Sequence, residues 1–228
     1  MKWIADETES NPVRSKRLSR QESKAKTRAL LISTGRGYFL RRGFAGATAE
    51  EISEEAGFTR GALYSHFEDK EGLFLEVVRE CHQRRCAMFA KLLRGFTGRV
   101  LLEKLRAAFA DTLKDPEHRL ILEFELESLR NEKLRKYYAA FNQETLTTAL
   151  NIMYFISDSC ETRFVLSPQD FVVAMMGFIR GMAVNQKLLG SAGFPDAHCR
   201  EIIFAVFDRC LLPPGASIAP SDKSLSNP

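Results

Sequence analysis

Arg60, Gly61, Tyr64, Ser65, His66 and Lys70 fall within one eleven-residue stretch, directly behind Thr59. Their chemistry suits a polyanion with readable edges. An arginine can pair bidentately with guanine, and a glycine lets the backbone approach a groove floor unobstructed. Tyrosine, histidine and lysine can donate to phosphates, and Lys70 follows Asp69 at a helix start whose free N–H groups also favour an anion. No comparable set supports catalysis. The four histidines (His66, His82, His118, His198) are scattered, and no Ser/His/Asp order or pair of carboxylates on neighbouring turns accompanies them. His82 and Cys86 stand one helical turn apart, but two ligands are not a metal site, so neither metal nor cofactor is expected.

The elements that must position these groups are legible nearby. Thr48 and Glu51 fit the S/T-x-x-E capping box, in which hydroxyl and carboxylate satisfy each other's backbone N–H groups, while Glu50 and Glu51 complement the positive end of the helix dipole. Ile52 and Ala56 face inward, and Gly57 ends this first short helix where a left-handed residue is wanted. Thr59 then caps a second helix, whose Leu63 and Phe67 return to the same core as Ile52 and Phe39. The result is a helix-turn-helix that projects its second helix outward. A plain helical hairpin with ordinary surface residues is the alternative.

The rest of the 228-residue chain reads as all-α, with about nine helices. Residues 1–20 are polar, aperiodic and basic, the composition of a disordered arm; between positions 13 and 42 ten basic residues stand against Glu22 alone. Residues 21–70 form the helix-turn-helix domain, 71–212 a helical ligand-binding and dimerisation domain, and 213–228 a disordered tail. A first helix from Gln21 ends at Gly43. Gly35 and Gly37 within it lack the rest of a phosphate loop and should weaken it by about 1 kcal/mol each. Later helices are expected from Asp69 through the LFLEVVRECHQRRCAMFAKLLRGF segment, then at Val100–Lys114, Pro116–Arg130, Glu132–Ser157, Pro168–Leu189 and Asp196–Cys210.

The stretch from Arg28 through Leu73, above all TAEEISEEAGFTRGALYSHFEDKEGL, resembles the DNA-binding domain of the TetR (tetracycline repressor) family of transcriptional regulators. Thr48, Ile52, Ala56-Gly57, Thr59, Gly61, Tyr64, His66-Phe67, Lys70 and Leu73 carry the likeness. It implies an all-helical homodimer with an N-terminal three-helix reader, a variable C-terminal ligand domain, and Arg60, Gly61, Tyr64, His66 and Lys70 facing DNA. With Thr48, Thr59 and Ser65 these make up the expected DNA-contact set. Thr34-Gly35 departs from the small residues usual there in the family, and a looser first helix is expected.

In the C-terminal half, Phe171 to Val184 is apolar around nearly the whole helix, which asks for burial on more than one side. Gly177 and Gly181 would permit close approach of a second subunit, and Ile203, Val206 and Phe207 on the last helix are natural companions. By the resemblance these two helices form a four-helix dimer interface, with Arg180 among its residues. A central core helix in a monomer is the alternative. Phe89, Phe109, Phe124, Phe141, Tyr154, Met175 and Met176 are candidates to line a cavity for an apolar or aromatic effector. Glu125 falls among Ile121, Leu122 and Leu129 on the buried side of its helix, and a carboxylate there is costly unless paired. Arg180 has the same problem in its own helix. Each is either the other's partner or a polar anchor for ligand.

The expected function is ligand-responsive regulation, as a repressor, of a pseudo-palindromic double-stranded DNA operator. A constitutive or protein-partner-controlled DNA binder is the alternative, and an enzyme with a hydrophobic pocket the remote one. Five cysteines without a CxxC pair suit a reducing compartment, and no apolar run reaches the length of a membrane span. A cytoplasmic protein without membrane partners is expected.

Overall fold

Local hydrogen bonding starts each of the first four helices. In the computed structural model, which describes residues 19–160, 162–193 and 195–212, α1 (Arg20–Arg42) opens on a capping box: Ser19 Oγ accepts from the Glu22 N–H, and the Ser19 N–H donates to Glu22 Oε2 at 2.7 Å. The box at α2 (Ala49–Glu55) and the single caps of α3 (Arg60–Tyr64) and α4 (Lys70–Gly95) use Thr48, Thr59 and Asp69 in the same way. Gly57 between α2 and α3 has φ +77°, a conformation in which a side chain is strained. There follow α5 (Gly98–Asp111), a 3₁₀ turn (Thr112–Lys114), α6 (His118–Ser128), α7 (Glu132–Ser159), α8 (Pro168–Gly193) and α9 (Asp196–Arg209). The helical path of α8 breaks at Gly190, where φ is +66°. The arm through residue 18 and the tail from 213 lie outside the described residues.

The all-α expectation needs one small amendment. Arg163–Phe164 (β1) and Leu211–Leu212 (β2) form a two-residue antiparallel pair that ties the end of α9 to the α7–α8 connection. Segments this short carry no alternating pattern, so periodicity cannot reveal them.

Two apolar clusters hold the chain together. The first joins Leu31, Ile32 and Phe39 of α1, Ile52, Leu63, and Phe74 of α4 to Leu120, Ile121 and Phe124 of α6 and Phe141 of α7. The reader's core is therefore shared with the helices that follow, and α4, which begins at Lys70, contributes Leu73, Phe74 and Val77 to it. The second cluster packs α5, α8 and α9 around Leu105, Phe171, Met175, Ile203 and Phe207. Gly35 sits at the α1–α4 contact. The helix passes straight through it, and a Cβ there would stand 3.1 Å from Leu73 Cδ2, so the missing side chain lets α1 lie close against α4.

Packing also corrects several expectations. Ile203 and Phe207 are fully buried in their own protomer's second cluster, so they are core residues and not dimer-facing. Phe124 and Met175 are likewise consumed by packing, Tyr154 is 59% exposed, and Leu129 at 76% lies outside the core to which its helical angle assigned it. α6 ends at Ser128, and Leu129 follows the helix instead of facing its apolar stripe.

Candidate nucleic-acid interface and effector cavity

The surface of α3 presents Thr59, Arg60, Gly61, Tyr64 and Ser65 to solvent, while Leu63 and Phe67 anchor the helix from below. Thr48 and Thr59 accept backbone N–H groups of Glu51 and Ala62 with their hydroxyls, so their first role is to set where the two helices begin. Ser65 Oγ donates to the Ala62 carbonyl at 2.7 Å. The Arg60 guanidinium pairs with Glu50 on α2 and lies over the Tyr64 ring, 5.2 Å from its centroid. Exposed pairs of this kind contribute little, so exchanging Glu50 for a base edge or phosphate costs little.

Two members of the expected contact set are differently employed. Lys70 Nζ donates to the Phe44 and Ala47 carbonyls at 2.9 and 3.0 Å and sits 4.2 Å from the Phe44 ring centroid. Its ammonium closes the α1–α2 loop with two of its three N–H donors. His66 is half-buried, its Nδ1 without a hydrogen-bond partner, and burial followed by the nearby Lys24 and Arg28 holds its pKa below the ordinary histidine value.

Behind the reader, residues of α4 to α8 line a partly open cavity of about 140 Å³. Phe89, Phe109, Phe141 and Met176 line it as expected, joined by Ile121, Met153 and Ile179. Phe124, Met175 and Tyr154 do not reach it. Glu125 and Arg180 form the anticipated pair at 2.8 Å, with Tyr138 donating to the same carboxylate oxygen at 3.2 Å. Arg180 is thus turned toward Glu125 and the cavity, not toward an outer interface, and Glu125 contributes as its partner instead of as lining. Burial raises the Glu125 pKa while Arg180 opposes the shift.

The polar lining went unread in the sequence: His82, Arg85 and Cys86 on α4, Thr112, His118, and Thr145 and Thr148 on α7. A signal existed, because His82, Arg85, Cys86 and Phe89 are spaced i, i+3, i+4 and i+7 on one face of α4. His82 and Cys86 approach to 3.3 Å, yet no group among the described residues has enough ligands for a metal ion.

One helix touches both regions. His118 and Ile121 of α6 border the cavity, while Glu117, just before it, accepts from Arg36 of α1 at 2.8 Å and Arg84 of α4 at 2.9 Å. Glu123 of the same helix reaches to the end of α1. A Cβ on Gly43 would lie 2.5 Å from its Oε1, and its Oε2 is buried without a hydrogen-bond partner. Lys133 of α7 donates to Asp69, the cap of α4, at 2.5 Å.

The outer face of α8 is unlike its inner one. Val173, Gly177, Gly181, Val184 and Leu188 are exposed along one stripe, and nothing lies within 4 Å of a Cβ built on either glycine. On α9, Val206 is half-buried. No helix among the described residues is long and apolar enough to cross a membrane.

Known proteins share this arrangement. Residues 31–77 match the model for bacterial regulatory proteins of the tetR family. The transcriptional repressor AcnR of Corynebacterium diphtheriae is 38% identical over 61 residues, 27% of this chain and 32% of AcnR. The regulator TtgR of Pseudomonas putida is 38% identical over 63 residues, 28% of this chain and 30% of its own length. The chain therefore spans about a third of these curated relatives. Among solved structures, a transcriptional regulator from Saccharomonospora viridis in complex with choline superposes with a TM-score of 0.69 at 20% identity, covering 83% of this chain and 99% of that one. FadR from Bacillus subtilis in complex with stearoyl-CoA gives 0.63 at 15% identity, covering 78% and 96%. The fold is common to the solved structures, and residues 31–77, with the helix-turn-helix of residues 48–67 seated on α1 and α4, match the DNA-binding region of the tetR family of bacterial regulatory proteins.

Proposed function

We propose that the protein is a homodimeric repressor that binds a pseudo-palindromic operator through α3 and is released by a small, largely apolar molecule in the α4–α8 cavity. The observation that carries this reading is the doubly capped α2–turn–α3 unit, which leaves Arg60, Gly61 and Tyr64 exposed over a buried Leu63 and Phe67. Two such helices, held by a dimer, would enter successive major grooves about 34–36 Å apart. The apolar stripe of α8 from Val173 to Leu188 supports pairing with a second copy, since its two glycines permit close helix approach and a contiguous apolar face is otherwise a liability in water. Fold neighbours hold ligands as unlike as choline and stearoyl-CoA, so this frame accommodates varied effectors.

Release follows from the position of α6. A ligand that pushes on His118 or Ile121 displaces the same short helix that grips α1 through Glu117 and Glu123. It acts only to the extent that it prefers one spacing of the reading helices over another. The test is binding of the purified protein to its own upstream DNA across a salt series, with Tyr64→Ala beside it and sedimentation of Gly181→Glu. The expected result is a dimer-sized footprint with steep salt dependence, weakened by Tyr64→Ala, and a Gly181→Glu protein that is monomeric and leaves no footprint. A folded wild-type dimer that binds no such DNA at any salt would count against operator recognition. A dimeric Gly181→Glu protein would count against the α8 interface.

A further inference from the structure

The charged part of the cavity lining lies where Arg85 of α4, His118 at the start of α6 and Arg180 of α8 converge. Arg180 is matched by Glu125. Arg85 is not: among the described residues no carboxylate lies within ion-pairing distance of it, and its one polar contact is Nη1 to His118 Nδ1 at 3.5 Å. Asp115 supplies only a more distant opposing charge. His118, itself buried, has an Nε2 without any hydrogen-bond partner. A largely desolvated guanidinium with no counter-ion and an unsatisfied ring nitrogen are costly arrangements, and native proteins keep few of them. Both costs fall together if an anion enters from the cavity.

We propose that this charged part is a carboxylate seat, and that the effector is a monocarboxylic acid whose head accepts hydrogen bonds from Arg85 beside His118 while a compact apolar body lies along Phe89, Phe141 and Met176. The inference rests on the effector-cavity reading above and adds the chemical class of the ligand. A cavity of about 140 Å³ is close to the roughly 150 Å³ that accommodates a benzene-sized body. An arginine suits the head because its planar donors match a carboxylate bidentately. The Arg180–Glu125 pair walls the seat without competing for the charge, since its own charges already cancel.

The experiment titrates the full chain, free of DNA, with benzoate, phenylacetate and octanoate, each beside its uncharged counterpart benzyl alcohol, 2-phenylethanol or 1-octanol, read by thermal melting and calorimetry. At least one acid should bind about tenfold or more tighter than its alcohol, the discrimination a charged hydrogen bond provides, and Arg85→Met should bring that ratio near one. Independently of any ligand, Arg85→Met should melt no lower than the wild type, because it removes an uncompensated cation. A lower melting temperature would mean that Arg85 has an internal partner and would overturn the seat. Alcohols binding as tightly as acids would overturn it too, while leaving the effector cavity standing. If neither series binds, the seat and the cavity reading fall together, whereas loss of operator binding alone touches neither.

Discussion

Replacing Gly43 with alanine tests the seam between α1 and α6 in a way that separates its two components. Gly43 has φ +73° and ψ 172°, a region open to glycine and almost no other residue. Adopting it with a side chain costs about 2 kcal/mol. The new Cβ would also lie 2.5 Å from Glu123 Oε1, so the carboxylate must swing away from the Phe44 backbone N–H that favours its charged form. Losing that contact adds about 1 kcal/mol. The sum, about 3 kcal/mol, corresponds to a fall of roughly 6–12 °C in Tm for a chain of this size. Urea unfolding of Gly43→Ala, Glu123→Ala and the double variant forms the decisive cycle. In the Glu123→Ala background Gly43→Ala should still cost about 2 kcal/mol, leaving about 1 kcal/mol of coupling. A cost below about 0.5 kcal/mol in the natural background would refute the backbone argument, and zero coupling would refute the contact. Because the same seam joins reader and cavity, operator affinity measured on the cycle should track it.

Three further outcomes follow from the same geometry. Lys70→Ala should lower stability by about 2 kcal/mol through its two lost charged hydrogen bonds and leave the salt dependence of operator binding as in the wild type, whereas Tyr64→Ala should leave Tm unchanged and weaken operator binding without altering its salt slope; a salt slope reduced by about one in Lys70→Ala at unchanged Tm would place its ammonium on a phosphate. Glu125→Ala strands a partly buried Arg180 and should cost about 3 kcal/mol in urea unfolding, with Glu125→Leu plus Arg180→Met recovering most of it; equal costs for the single and paired changes would deny the pairing. His118 is held down to about 4 by burial first and then by Arg85, Arg180 and Lys187. The unfolded chain therefore takes up this proton first, so stability should be unaffected above pH 6.5 and should fall as pH drops from there to about 4, by at most about 3 kcal/mol. His82, lowered mainly by burial and Arg85 and opposed by Glu144, contributes in the same direction, and Asp115 and Glu125 are the acids facing this end of the cavity. Thermal melts of His118→Phe between pH 7 and 5 should be flatter than those of the wild type; an unchanged slope would refute the assignment.

The amino-acid sequence by itself determined the short helices of the reader, because their causes are local. A capping hydroxyl and its carboxylate are three residues apart at Thr48 and Glu51, Gly57 needs no partner to favour its turn, and the apolar spacing of Ile52, Leu63 and Phe67 is read within one segment. The same holds for the start of α4 at Asp69 and for the match of Glu125 with Arg180, which two misplaced charges in apolar helices suggested before any contact was visible. Tertiary structure alone decided which apolar residues face what. Ile203 and Val206 stand on one helix with similar hydrophobicity, yet the first is sealed in the protomer and the second is half-buried, since only the packing of α5 and α8 against α9 says where the core ends. Lys70 offered the chemistry of a phosphate ligand and was given two carbonyls from a loop more than twenty residues earlier. Arg85 is one of two adjacent arginines in the sequence: Arg84 found Glu117, and Arg85 was turned into the cavity without a counter-ion. Hydrogen bonds along a helix are fixed by short-range spacing, but desolvation depends on every element that closes around a group, and those elements lie scores of residues apart.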